Sequence, residues 1–275
     1  MTSKTNELAL ETAIEKALCG ISTEDIKNGM VSESNEPYNS NGYHIGHPAD
    51  FNSKYALDEV RFWDFLETTQ KEELEKLKRQ SDWKIKILDR FDKLMKKYGI
   101  LRLLRKGLAV DDAHFTLFYV APLQNSSQQI KDNFESNQFS VTRQLRYSFS
   151  NPLEEIDMVI FINGIPISTI ELKNQWTGQN AKVHGVNQYK HKRDITQPLL
   201  NFGRCIVHFA VDTDEIYMTT KLDGAKTFFL PFNLGNNYGK GNPPNAFGHK
   251  TSYFWQDILK RESLANIIQH FVRFD

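Results

Sequence analysis

Residues 151–173, NPLEEIDMVIFINGIPISTIELK, constrain this chain more than any other stretch. At their centre stands Asn163-Gly164, the dipeptide best suited to a two-residue hairpin turn, in which both turn residues need positive φ. Apolar residues flank it on both sides, so the spacing predicts two buried antiparallel strands. Charge interrupts the burial only at the open end, with Asp157 on the first strand and Glu171 and Lys173 closing the second. A period of two puts Glu171 and Lys173 on one face. Burying three charged groups is costly unless they pair or bind a metal. Their position therefore marks them as candidates for function.

The hairpin carries a geometric demand. A strict two-residue loop pairs Ile162 with Ile165 and Asp157 with Ile170, which points Asp157 and Glu171 to opposite faces. A three-residue loop with a bulge, or an equivalent slip, sets Asp157 opposite Glu171. A functional site requires that slip, whereas a purely structural hairpin does not.

The 275 residues are enough for one large domain, or one with an appendage. Lys+Arg and Asp+Glu stand at 34 each, so no global field attracts nucleic acid and any DNA contact must come from local patches. Cys19 and Cys205 are too few for a zinc cluster, and no secretory signal or membrane-length apolar run is present. The expectation is a soluble protein of the reducing cytoplasm.

Residues 4–18 read as an amphipathic helix with Glu7, Glu11 and Glu15 along one side, ordinarily a solvated face, although one acid is placed to reach an active centre. Residues 19–56 read as a long loop packed down by Tyr38, Tyr43, Phe51 and Tyr55. Residues 57–98 read as a helical layer with Val60, Trp63, Phe65 and Leu66 in one apolar cluster, a charged exposed run over 72–79, and a terminus at Tyr98-Gly99. Beyond it, residues 101–106 suggest a strand with basic neighbours. Strands are expected over 113–120, 139–147, 205–211, 215–222 and 226–232, with a short helix over 124–133, a basic helix over 180–193 and closing helices over 253–259 and 263–274. Together these give an α/β chain with one mixed central sheet flanked by helices. The Gly235-to-Gly241 run is no phosphate loop, because Gly241 replaces the metal-binding hydroxyl and Pro243-Pro244 forbids the helix that must follow.

Phosphodiester hydrolysis needs an activated water and charge stabilisation, which hard cations on oxygen ligands supply. Asp157 and Glu171 with the Leu172 carbonyl would make an open Mg²⁺ site. Lys173 would orient or deprotonate the water, or stabilise the transition state, and the residues alone leave these open. The paired acids should raise each other's pKa without metal. Lys182, Lys190, Lys192 and Arg193 on the following helix are candidates for phosphate contacts. Acid-x-lysine alone means little, since Asp25-Ile26-Lys27 and Asp82-Trp83-Lys84 also satisfy it.

Residues 154–193 strongly resemble the nuclease core of the restriction subunit of type I restriction–modification enzymes, within the PD-(D/E)xK nuclease superfamily. Residues 48–70, 208–220, 228–245 and 251–264 resemble further segments of the same subunit in the same order. The resemblance implies a restriction-endonuclease-like core with an N-terminal helical elaboration. It implies Mg²⁺, with Mn²⁺ as substitute, on Asp157, Glu171 and Leu172, Lys173 as the essential lysine, and Glu11 or Glu7 as the acid of the first helix. The family's Gln-x-x-x-Tyr pair is met at Gln188 only, because Lys192 stands where the tyrosine should and Tyr189 follows at once. The implied organisation is an endonuclease domain over 1–260, with its helical layer at about 57–98 and its core at about 100–232. Residues 261–275 would begin the connection to an ATP-driven motor outside this chain. Expected partners are double-stranded DNA and the methyltransferase and specificity subunits, with ATP used only by the full-length subunit. A free-standing repair nuclease and an inactive docking module are the competing readings.

Overall fold

The computed structural model describes residues 2–32, 34, 36–38, 42–174 and 178–273, with side chains from residue 8 onward. Glu7 as a side chain and the polar passage at 175–177 lie outside the described residues.

Helix α1 (Thr2–Cys19) is followed by the short α2 (Thr23–Lys27), which is closed by a capping box between Ser22 and Asp25. The expected long loop over 19–56 is corrected here. It contains α2 and the strand β1 (Tyr43–Ile45), which runs parallel to β6 (Phe139–Arg146). Three residues are too few to show a period of two, and the strand is fixed by its partner. The ribbon of β2 (Phe51–Asn52) and β3 (Leu57–Asp58) leads into α3 (Glu59–Thr69), α4 (Lys71–Leu77) and α5 (Trp83–Tyr98), the expected helical layer. Val60 is exposed rather than part of the apolar cluster, and Leu74 and Leu77 are fully buried within the charged run.

Residues 101–106 form helix α6 (Ile100–Lys106), not a strand, bounded by Gly99 and Gly107 at φ 74° and 76°. Positive φ at both ends isolates one short helix that local composition alone does not separate from a strand. Only Ala113–Phe115 of the next candidate is strand, β5, paired with β4 (Leu108–Val110) outside the main sheet. Helix α7 (Gln128–Glu135) precedes β6.

The main sheet has seven strands in the order β1-β6-β7-β8-β9-β10-β11, where β7 is Glu155–Ile162, β8 Ile165–Leu172, β9 Val207–Val211, β10 Ile216–Thr219 and β11 Leu230–Pro231. It is mixed: β1/β6 and β8/β9 are parallel, and the other pairs are antiparallel. All eight residues of β8 are buried, so helices cover both faces of the central strands. The parallel β8–β9 pair requires a crossover, supplied by a π-helical turn (Ala181–Gly185) running into α8 (Val186–His191). Gly185 allows this crossover to lie close, because a Cβ there would meet the Ala210 Cβ at 2.9 Å and the Lys173 stem at 3.5 Å. A second π-helical turn (Phe254–Ile258), α9 (Arg261–Asn266) and a third turn (Ile267–Phe271) close the described chain. Among the described residues, no helix is long and apolar enough to cross a membrane.

The hairpin meets its geometric demand by an unexpected route. Its loop is the strict two-residue turn, with Ile162 opposite Ile165 and Asn163 and Gly164 at φ 53° and 75°. The slip comes later: Phe161 pairs with Pro166 but Ile160 pairs with Ser168, leaving Ile167 as the extra residue of a bulge. Proline beside the bulge has no N–H to give the ladder. Side chains change parity there: Ile165 and Ile167 before it, and Ile170 and Leu172 after it, all join the same core cluster. The turn itself is buried. Asn163 bonds to Leu117, Asn137 and Gln138, and a Cβ on Gly164 would lie 2.3 Å from the Asp58 carbonyl and 2.6 Å from the Phe62 nitrogen.

Candidate active site

Continued one residue outward, the Met158–Ile170 register brings Asp157 level with Glu171. Asp157 Oδ2 accepts the Leu172 amide at 2.6 Å. Lys173 Nζ donates to the Leu172 carbonyl at 2.5 Å and stands 3.8 Å from Asp157 Oδ2. The three residues singled out by the hairpin pattern thus converge. Their exposures differ: the Asp157 side chain is 20% exposed, that of Lys173 7% and that of Glu171 0%. Burial drives the Glu171 pKa well above the ordinary carboxyl value. The Asp157 charge adds to the rise, and Arg193 and Lys173 oppose it.

Arg193 joins this centre instead of standing free on the basic helix. Its Nε lies 2.7 Å from Glu171 Oε1, and a terminal nitrogen lies 2.6 Å from the same oxygen. Glu171 Oε2 is buried and has no hydrogen-bond partner among the described residues. Lys182 and Lys192 are exposed and Lys190 half-buried around α8. Gln188 is half-buried, with no side-chain hydrogen bond among the described residues. Tyr189 is fully buried beneath the site, its hydroxyl 2.7 Å from Thr169 Oγ1, which also meets His208 Nδ1 at 2.7 Å. Burial pushes His208 down to about 3, so its imidazole is neutral and this trio braces the floor.

Glu11 and Glu15 of α1 do not face solvent as expected. Glu11 and Glu15 are buried, and Arg143 of β6 gathers both. Its Nη2 meets Glu11 Oε2 at 2.9 Å, while its Nη1 meets Glu15 Oε2 at 2.8 Å and Glu24 Oε2 at 2.6 Å. Burial pushes Glu11 up to about 7, opposed by Arg143 and reinforced by the charge of Asp157. Glu11 therefore feels the candidate site while its Oε2 serves Arg143.

One neighbour escaped the sequence reading. Gln144 sits mid-strand at φ 51°, a conformation few side chains tolerate. The β6–β7 ladder is registered at Arg143–Met158 and again at Leu145–Ile156, so Gln144 lies level with Asp157. Val141 and Met158 belong to the larger core cluster, Leu145 and Ile156 to the smaller, so both strands switch faces here. The Gln144 amide comes within 3.4 Å of Glu11 Oε2. No composition or period signals a positive φ inside an alternating strand. The Arg143 cluster escaped as well, because acids four apart on a helix ordinarily face solvent and nothing local shows that β6 covers them.

Among the described residues, no cluster of three His, Cys, Asp or Glu side chains closes around a metal-sized space. The oxygens on offer are those of Asp157, the orphaned Glu171 Oε2 and the Leu172 carbonyl, a hard set that suits Mg²⁺ or Mn²⁺.

A mixed sheet between helical layers, with two acids and a lysine meeting at the ends of adjacent central strands, defines a restriction-endonuclease-like core. The chain belongs to the type I restriction enzyme R protein N-terminus family, whose model matches residues 25–227. Two proteins of Methanocaldococcus jannaschii are similar to it, both bearing provisional names. The type I restriction enzyme MjaVIIIP endonuclease subunit is 27% identical over 146 residues, covering 52% of this chain and 13% of the relative. The MjaIXP endonuclease subunit is 26% identical over 170 residues, covering 52% and 15%. The chain thus matches under a sixth of either relative's length.

Proposed function

We propose that this chain is the DNA-cleaving domain of a type I restriction enzyme R subunit, hydrolysing phosphodiester bonds with a divalent cation held by Asp157, Glu171 and the Leu172 carbonyl. The observation that carries the reading is Glu171 Oε2, a carboxylate oxygen buried beside Asp157 without a partner among the described residues. A group of that kind costs free energy unless a ligand satisfies it. Mg²⁺, or Mn²⁺ in its place, supplies Lewis acidity and a more acidic water when bound.

The chain's own residues do the rest. Asp157 is fixed by the Leu172 amide, so its carboxylate is held in place before substrate arrives. The Lys173 ammonium, held on the Leu172 carbonyl and 3.8 Å from Asp157 Oδ2, places its positive charge beside the attacking water or a phosphate oxygen. Lys182, Lys190 and Lys192 attract the backbone of duplex DNA irrespective of sequence. Translocation and ATP hydrolysis belong to motor domains outside this chain, target recognition to specificity and methyltransferase subunits, and the working compartment is the cytoplasm.

Lys173→Ala in the R subunit assembled with its partners should lower DNA cleavage by about 100- to 1000-fold. ATP hydrolysis and the circular dichroism spectrum should stay at wild-type levels. A variant that still cuts at the wild-type rate overturns the assignment.

A further inference from the structure

The Arg193 guanidinium and the Glu171 carboxylate are 9% and 0% exposed, and both nitrogens of the contact converge on Oε1 alone. Oε2 of the same carboxylate has no partner among the described residues. Among the described residues, Asp157 and Glu171 thus already face Lys173 and Arg193. A divalent ion brought to Oε2 would meet the Arg193 charge at close range and be repelled. Arg193 follows directly on α8, whose Lys190 and Lys192 are its neighbours in sequence. A guanidinium binds phosphate by the same forked geometry that it offers carboxylate.

We propose that Arg193 is an exchangeable counter-ion: it holds Glu171 in the metal-free protein and passes to a phosphate of the DNA backbone when the cation takes that carboxylate. Metal and duplex then bind cooperatively, because each removes what opposes the other. The exchange rests on the metal-site reading above. It differs from a fixed clamp, in which Arg193 would only orient Glu171 and its loss would weaken metal binding.

The test is Mn²⁺ titration of the 275-residue chain, followed by the electron paramagnetic resonance signal of free Mn²⁺, with and without a short phosphorothioate duplex. Wild type should bind Mn²⁺ weakly alone and about tenfold more tightly with duplex. Arg193→Gln should bind Mn²⁺ about tenfold more tightly than wild type without duplex, and duplex should add little. Arg193→Lys keeps the charge but loses the fork, and should fall between the two; it decides the matter if the glutamine variant does not fold. Mn²⁺ binding by these variants equal to or weaker than wild type overturns the exchange and leaves the metal site standing. No Mn²⁺ binding by wild type, even with duplex, overturns both.

Discussion

Two charged clusters lie close together in this fold and are built on opposite rules. Around Arg143, three carboxylates share one guanidinium, and the most buried of them is saturated. Glu15 accepts from Arg143, from the Thr23 amide at 2.7 Å and from the Thr23 hydroxyl at 2.7 Å. Glu24 accepts from Arg143 and from Thr12. Around Glu171, Asp157 and Glu171 face Lys173 and Arg193, yet a buried oxygen is left without a partner among the described residues. Where charge ties α1 to the sheet, acids are in excess and both oxygens of the most buried one, Glu15, are satisfied. The first arrangement ties α1 to the sheet, and the second leaves the unsatisfied oxygen on which the proposed metal site rests.

The comparison breaks most directly at Arg143. Arg143→Met leaves Glu11 and Glu15 buried without their cation and should cost about 3–5 kcal/mol in urea unfolding. A loss below about 1 kcal/mol would mean that the cluster does not hold α1 in place.

A smaller effect appears with pH. The fold keeps the Glu11 proton up to about 7, whereas the unfolded chain releases it near 4.5. Stability from this group is therefore complete below 4.5 and lost as pH rises through about 7. Glu171, also raised, acts with the same sign. Without metal, the unfolding free energy should fall by about 3 kcal/mol across that window. Glu11→Gln should flatten most of the slope, and an unchanged slope would remove Glu11 from the electrostatics of the site.

The smallest effect is expected between the clusters. Gln144→Gly relieves the positive φ and should raise stability by about 0.5–1 kcal/mol, read as a rise in melting temperature. A fall would show that the Gln144 amide holds Glu11 more firmly than its 3.4 Å contact implies.

Much of the centre was legible in the sequence because its signals are local. Asn163-Gly164 fixes the turn, and a period of two places Glu171 and Lys173. Pro166 was a readable hint of the bulge, which sits inside β8 and not in the loop. What escaped depends on residues far apart in the chain. Arg193 reads as a surface cation until the crossover from β8 to β9 folds it over Glu171. Tyr43–Ile45 reads as loop because only β6 makes it a strand. Ile100–Lys106 is ambiguous because seven residues of mixed leucine and arginine carry too little period.

The buried turn has a mechanical corollary. Gly164 ties the closed end of the hairpin to the entry of the helical layer by accepting the Asp58 amide at 2.8 Å, and Asn163 ties it to Asn137 beside β6, while Asp157 and Glu171 ride at the far end. The two strands form a beam with a clamped root. The spacing between the two carboxylates is therefore set by the register of one ladder, while their depth in the molecule is set at the other end of it.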